Sequence, residues 1–380
     1  MVNLSIAQSA GRFSLCILIL LQFCITPLWC ANTVKIASIY AHTGVSAESN
    51  LYSIKGVREA VDEINEKGGV IGKKIELVEY DNMSTPIGSK VAAEKAVKLG
   101  VSAIIGADWS THTLAIARVA QAGKVPMVTN TSTNDEITKI GNYIFRISYN
   151  DTFQGKALAG FAIQDLHAKT AVLLTDITSD YAIGLSKAFK HHFEKLGGKI
   201  TGHLTYTLNQ DNFRSLAAKA AKVRPDVVFI PGYEESAVII KELMKADCPA
   251  IPLGGDGWGS DSFYEKGGVS ISQGYFAGHW SESLDTPATK AFVKKYKKNN
   301  AALLDAEVLA YDAVFLLTDA VKRAGSADRE KIRDALAKTR DFKAVTGNIS
   351  FTSVLGDPEK NAVIHEIING RAQFKKIIRP

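Results

Sequence analysis

Short β-branched runs alternate with amphipathic stretches along most of this chain. The run 34–40 reads as a strand, and 51–66 carries Ile54, Val57, Ala60, Val61 and Ile64 at the spacing of one helical face. That helix stops at Lys67-Gly68-Gly69, a C-terminal glycine signal. Strands are predicted at 74–80, 101–105 and 125–128, with helices at 86–99 and 110–122 between them. After the apolar segment 143–147 the series begins again. Helices at 152–166, 182–196, 213–223 and 235–246 alternate with strands at 171–176, 199–206, 227–231 and 250–253. From Asp285 the pattern is helical, at 287–298, 306–324 and 328–338. The chain then ends in a hairpin, 363–368 and 372–378, about Asn369-Gly370, a pair suited to a type I′ turn. Repeated β-α units predict an α/β fold of two similar lobes, each a parallel-dominated sheet with helices on both faces. No low-complexity linker intervenes, so the lobes are expected to be joined by structured crossings.

The first 31 residues break this pattern. Arg12 is their one charge, and the apolar run 13–29 is interrupted by Ser14, Gln22, Thr26 and Pro27 ahead of Cys30-Ala31. This reads as a secretory signal peptide, 1–31, cleaved near residues 30–32, with an uncleaved anchor as the alternative. A periplasmic product is the expectation. Three of the four cysteines lie in that segment, so Cys248 is expected to stand alone and the mature chain to have no internal disulfide. At 380 residues, with 46% hydrophobic and 22% charged content, the chain has room for two cores and no signature of disorder. Its net charge of +6 falls to +5 when Arg12 is removed, and the lysines are scattered. That describes a solvated basic surface and no nucleic-acid patch.

Open α/β sheets bind ligands beyond the carboxyl ends of their strands, so the residues following each strand are the candidates. Strand 101–105 leads to Asp108-Trp109-Ser110-Thr111, where a hydroxyl and helix N–H groups suit a carboxylate. Strand 125–128 leads to Asn130-Thr131-Ser132-Thr133. On the second lobe the corresponding segments supply Asp180-Tyr181, Tyr233-Glu234 and Gly254-Gly255-Asp256-Gly257-Trp258. In the last of these one acid stands among glycines, which leave the backbone open to close approach. An anion site on one lobe and a cation site on the other describe a receptor for an amino acid.

These residues, in this order and spacing, resemble the type I periplasmic binding proteins of the leucine/isoleucine/valine-binding kind, which serve ABC transporters. The resemblance spans nearly all of the mature chain. It is carried by Ile64-Asn65-Glu66-Lys67-Gly68-Gly69, Glu79-Tyr80-Asp81, Ile104-Ile105-Gly106, Phe145-Arg146 with Asp151, Gln154 and Gly155, Tyr181 with Gly184, and the segment 254–258. It implies a free amino acid, apolar or branched, bound between closing lobes. Its carboxylate would be held by Ser110, Thr131 (through the backbone) and Thr133, its ammonium by Asp256, with Tyr181 and Tyr233 flanking it. Trp109, Trp258 and Ser49 are possible pocket walls, while Asp108 and Glu234 read as solvated or structural. The resemblance also implies an inner-membrane permease as partner and crossings near 149–152, 278–282 and 346–352. Lobe 1 is then 32–150 plus 281–346, and lobe 2 is 151–280 plus 347–380.

Two departures stand out. Ser84 and Trp109 occupy the places of a first-lobe disulfide in the leucine/isoleucine/valine protein, and Ser49 that of a pocket aromatic. An amide, urea or aromatic carboxylate ligand on the same fold is therefore an alternative, as is a ligand-sensing receptor domain. Catalysis is not expected, because no nucleophile has a base and an orienter, and no P-loop, dinucleotide or metal spacing occurs. His191 and His192 are adjacent on a helix and cannot share a metal. No cofactor is expected, and a hinged protein of this kind is expected to be a monomer.

Overall fold

The strand order of both sheets follows from the two β-α series. In the computed structural model, β1 (Val34–Tyr40), β2 (Ile75–Asp81), β3 (Ala103–Gly106), β4 (Met127–Thr129) and β5 (Ile144–Arg146) form a fully parallel sheet, ordered β2-β1-β3-β4-β5. The second series gives β6 (Thr170–Asp176), β7 (Lys199–Tyr206), β8 (Val227–Ile230), β9 (Ile251–Gly254) and β10 (Gln273–Gly278). Read from β7 to β10, their order is β7-β6-β8-β9-β10, the same permutation as the first. β13 (Ala362–Ile368) and β14 (Arg371–Ile378) extend this second sheet antiparallel at the β10 edge. Between them Asn369 and Gly370 take φ of 50° and 72°, as a type I′ turn requires. The structure describes residues 33–208, 210, 212–268, 271–297, 303–353 and 355–380, and those from Thr33 on form one unit holding both sheets. The signal-peptide reading of 1–31 lies outside the described residues.

Helices cover both faces of each sheet. α1 (Ala47–Glu66), α2 (Pro86–Leu99), α3 (Ser110–Ala122) and the short α4 (Glu136–Lys139) accompany the first. α5 (Asp151–Gln164), α6 (Asp180–Lys195), α7 (Arg214–Val223), α8 (Glu235–Lys245) and α9 (Asp261–Gly267) accompany the second. The chain then returns to the first lobe as α10 (Pro287–Tyr296), α11 (Asp305–Ala324), α12 (Arg329–Ala337) and the hairpin of β11 (Phe342–Ala344) and β12 (Gly347–Ile349). The predicted face of α1 (Ile54, Val57, Ala60, Val61, Ile64) is buried against Leu309, Ala313, Leu316 and Leu317 of α11. Gly56 permits that approach, since a Cβ there would lie 2.1 Å from the Glu307 carbonyl oxygen.

Three passages link the lobes, between β5 and α5, between β10 and α10, and between β12 and β13. The sequence reading lacks β10 and α9, and also the short α4, β11 and β12. β10 and α9 sit among glycines (Gly267, Gly268, Gly274, Gly278) that mask their period, and the other three are too short to show one. Residues 347–351 pack on the first lobe. Ile349 and Phe351 are buried in the first lobe's core beside Phe145 and Ala344, so the third passage begins after them. It is pinned where the Arg146 N–H donates to the Gly356 carbonyl at 2.9 Å.

Candidate ligand-binding site

Both sheets point the carboxyl ends of their parallel strands at one cleft. From the first lobe, the loop after β3 and the start of α3 bring Asp108, Trp109 and Ser110, and the loop after β4 brings Thr131, Ser132 and Thr133. From the second come Tyr181 at the start of α6, Tyr233 and Glu234 after β8, Asp256 after β9 and His279 after β10. Ser49 of α1, Gly257, Gly259 and Ser260 after β9, and Asp305 and Ala306 of α11 complete the wall. Of the residues expected from sequence, Ser49, Trp109, Ser110, Thr131, Thr133, Tyr181, Tyr233 and Asp256 line this one cavity.

Trp258 does not. Asp256–Trp258 forms a 3-10 turn that drives the indole into the second lobe's core, fully buried and stacked on Phe263 at 5.0 Å. The flanking glycines have a related explanation. A Cβ on Gly254 would lie 2.1 Å from that indole, one on Gly255 2.3 Å from the Tyr181 hydroxyl, and one on Gly257 2.4 Å from the Gly232 carbonyl oxygen. The space they leave open is filled by the protein's own groups, and the result is a tightly fixed Asp256.

On the first lobe, the hydroxyl-rich loop is held from behind. Arg146, fully buried, donates to the carbonyls of Ser132 (2.9 Å) and Asn134 (2.8 Å) and to Asp357 (2.6 Å). Thr131 donates its hydroxyl to Asp108 Oδ1 at 3.1 Å, so its backbone is what it has left to offer. Asp108 Oδ1 also accepts from Ser53 (2.7 Å) and Asn130 (2.8 Å), and burial pushes its carboxyl up to about 6 against those donors. Asp108 is half-buried and lines the cavity as well as holding this loop. Ser110 is the first residue of α3, and its Oγ accepts the Asn134 N–H at 3.3 Å, which leaves its own O–H to donate. The Thr133 hydroxyl is buried beside the Asp151 carboxyl without a hydrogen bond of good geometry. A helix N-terminus with two such hydroxyls is suited to an anion.

On the second lobe Asp256 is gripped through both oxygens. Gln154 Nε2 donates to Oδ1 at 2.7 Å, and His279 Nε2 lies 3.2 Å from Oδ2. The Gly257 N–H donates to the Tyr181 hydroxyl oxygen at 3.2 Å. Burial, reinforced by Asp256, pushes the phenols of Tyr181 and Tyr233 well above their ordinary value, so both stay neutral. Glu234, read from sequence as solvated or structural, is buried and lines the cavity. Sequence reasoning missed His279 and Asp305 as cavity residues. His279 directly follows the strand that the glycines concealed, and Asp305 stands at the head of α11, which no strand immediately precedes.

The lobes touch across the cleft. Trp109 stacks flat on Tyr233 at 4.1 Å, Thr111 Oγ1 accepts the Asp180 N–H at 3.0 Å, Asn134 Nδ2 donates to the Asp180 carbonyl at 2.7 Å, and Tyr52 donates to Asp261. This is a closed arrangement. Among the described residues no helix is long and apolar enough to cross a membrane, and no group of three or more His, Cys, Asp and Glu side chains is placed to hold a metal ion. Cys248 is a free, half-buried thiol.

Two lobes of one strand permutation, closed on a cleft with hydroxyls on one side and a fixed acid on the other, define a two-lobed solute-binding protein. The chain matches the model of the periplasmic binding protein family over residues 33–372 and belongs to that family. It is similar to the leucine-, isoleucine-, valine-, threonine-, and alanine-binding protein of Pseudomonas aeruginosa, with 29% identity over 324 residues, 84% of this chain and 86% of that protein. Among solved structures, it resembles the leucine binding protein LivK of Thermotoga maritima at 35% identity and a TM-score of 0.87, covering 92% of this chain and 99% of that one. It also resembles the branched-chain amino acid transporter substrate binding protein LivJ of Streptococcus pneumoniae, in complex with isoleucine, at 31% identity and a TM-score of 0.85, covering 92% and 100%. These relatives are binding proteins and not enzymes, and the resemblance read from sequence holds.

Proposed function

We propose that this chain is the extracytoplasmic substrate-binding component of an ABC transporter and closes its two lobes over a free amino acid with an apolar or branched side chain. The observation that carries this reading is Asp256, held by Gln154 and His279 on one lobe and facing the α3 start with Ser110 and Thr133 on the other. An acid opposite a hydroxyl-lined helix N-terminus matches the ammonium and carboxylate of a zwitterion. Thr131 contributes its backbone, Tyr181 and Tyr233 flank the ligand, and Trp109 and Ser49 bound its side chain. The relatives that bind leucine, isoleucine, valine, threonine or alanine favour a side chain of that class. Residues 1–31 serve as the signal that delivers the protein to the periplasm, where it docks as a monomer on an inner-membrane permease. Lobe 1 is read as 32–150 plus 281–346 and lobe 2 as 151–280 plus 347–380, with Ile349 and Phe351 packing on the lobe 1 core.

A thermal-shift screen of refolded, ligand-free protein tests the reading. The panel holds the twenty amino acids, short amides, urea and benzoate. A ligand at a hundredfold its dissociation constant adds about 2.7 kcal/mol of stability. Shifts confined to leucine, isoleucine, valine and their small neighbours are expected. Shifts with amides or benzoate alone would remove Asp256 from the ammonium role and overturn the proposal.

A further inference from the structure

His279 directly follows β10 where the second passage leaves the sheet, and its side chain is 1% exposed. Its backbone N–H donates to Asp305 Oδ2 at 2.5 Å, and its ring packs on Tyr149 at 4.0 Å. The ring nitrogen facing Asp256 is Nε2, and a carboxylate oxygen accepts, so Nε2 carries the proton in the neutral ring. The other nitrogen, Nδ1, is buried with no partner. Asp256 is thus aimed at the cleft by two donors, Gln154 and His279.

We propose that His279 is the positioning residue of the ligand-binding carboxylate and couples ligand affinity to pH. This rests on the amino-acid reading of the site. Neutral His279 orients Asp256 toward the ligand ammonium. Protonation at Nδ1 places a cation 3.2 Å from the same carboxylate, which then serves two positive charges in one small cavity. Ligand and proton compete for the same carboxylate, so affinity falls towards acid pH by up to about tenfold per pH unit, and binding there releases a proton. The charged and titratable groups facing the ring are Asp256 from the 3-10 turn, Asp305 from α11, Tyr149 from the first passage and His365 from β13. Burial pushes the Tyr149 phenol up and the His365 ring down, which keeps both neutral. Asp305 is tied to the backbone N–H groups of His279 and Trp280.

Calorimetric titration with L-leucine over about pH 5–8, the range in which an ordinary histidine changes charge, tests this. The wild type is expected to weaken towards acid pH, with a binding heat that depends on the ionisation heat of the buffer. His279→Gln keeps a neutral donor for Asp256 and is expected to bind within severalfold of the wild type at pH 8 while losing that slope and the proton release. His279→Phe keeps the packing on Tyr149 but no donor, and is expected to bind weakly at every pH. Asp108 and Glu235, carboxyls that burial pushes up to about 6 and about 7, remain in all variants. A wild type without a slope, or a His279→Gln slope equal to that of the wild type, overturns the proposal. A wild type that binds no leucine at any pH removes instead the reading on which it rests.

Discussion

Asp256 and Trp258 are two residues apart, yet their side chains have opposite fates. The 3-10 turn presents the acid to the cleft and sends the indole into a core of Phe263 and Phe276. Substitution separates the two roles. Asp256→Ala and Ser110→Ala are each expected to lose about 2–4 kcal/mol of ligand affinity, the cost of stranding a desolvated charge, with melting of the unliganded protein little changed. Trp258→Ala is expected to lose about 3–5 kcal/mol of folding stability, the cost of an emptied core site. Calorimetry and denaturant unfolding on the three variants decide the matter, and wild-type affinity in Asp256→Ala would end the assignment. Strand ends were enough to point to Ser110, Thr133 and Asp256 from sequence, because a residue's place after a parallel strand fixes which way it faces. Trp258 was misplaced because the direction of a side chain inside a tight turn depends on backbone geometry that composition does not encode.

At the scale of elements, periodicity located most helices and strands to within a few residues, since burial of one face imposes it. It failed at β10 and α9, where glycines carry no hydrophobic signal, and at α4, β11 and β12, which are too short to show a period, and it could not show what joins one helix to the next. Glu63 illustrates the second gap. From α1 it accepts hydrogen bonds from Lys67 of its own helix, from Lys295 (2.6 Å) and Tyr296 (2.7 Å) of α10, and from Tyr311 (2.6 Å) of α11. Burial alone would raise its carboxyl, but the bonds from Lys295, Lys67, Tyr311 and Tyr296 outweigh it and bring the group down to about 2 from 4.5. A depressed carboxyl stabilises the fold above its unfolded pKa, and that contribution fades as pH falls towards the folded value. Glu63→Gln is therefore expected to cost about 1–2 kcal/mol near neutral pH, allowing for solvent screening, and progressively less below about pH 4.5. Urea unfolding of both proteins at about pH 7 and about pH 3 measures this, and an equal difference at the two pH values would refute it.

For the whole molecule, the same strand permutation on both sides means that each lobe offers the cleft its strand ends, and neither lobe alone holds both charges of a zwitterion. Affinity then depends on how much of the protein is closed, because a ligand touching both lobes binds the closed state better. Several protein contacts already favour that state. Tyr52 of α1 donates to Asp261 of α9, and Thr111 of α3 accepts from the backbone of Asp180 at the head of α6. Neither Tyr52 nor Thr111 lines the cavity. Removing both bonds in a Tyr52→Phe, Thr111→Val protein shifts the balance towards the open form by about 1–3 kcal/mol, at about 0.5–1.5 kcal/mol for each. Up to that much of the ligand's binding energy must then be used to close the lobes, so the dissociation constant is expected to rise by about 5-fold to 150-fold although every ligand contact is intact. Small-angle scattering should show a larger radius of gyration for the unliganded double variant than for the wild type, with the two converging at saturating ligand. Unchanged affinity together with an unchanged radius would mean that these contacts do not set the closure equilibrium and that the ligand alone holds the lobes together.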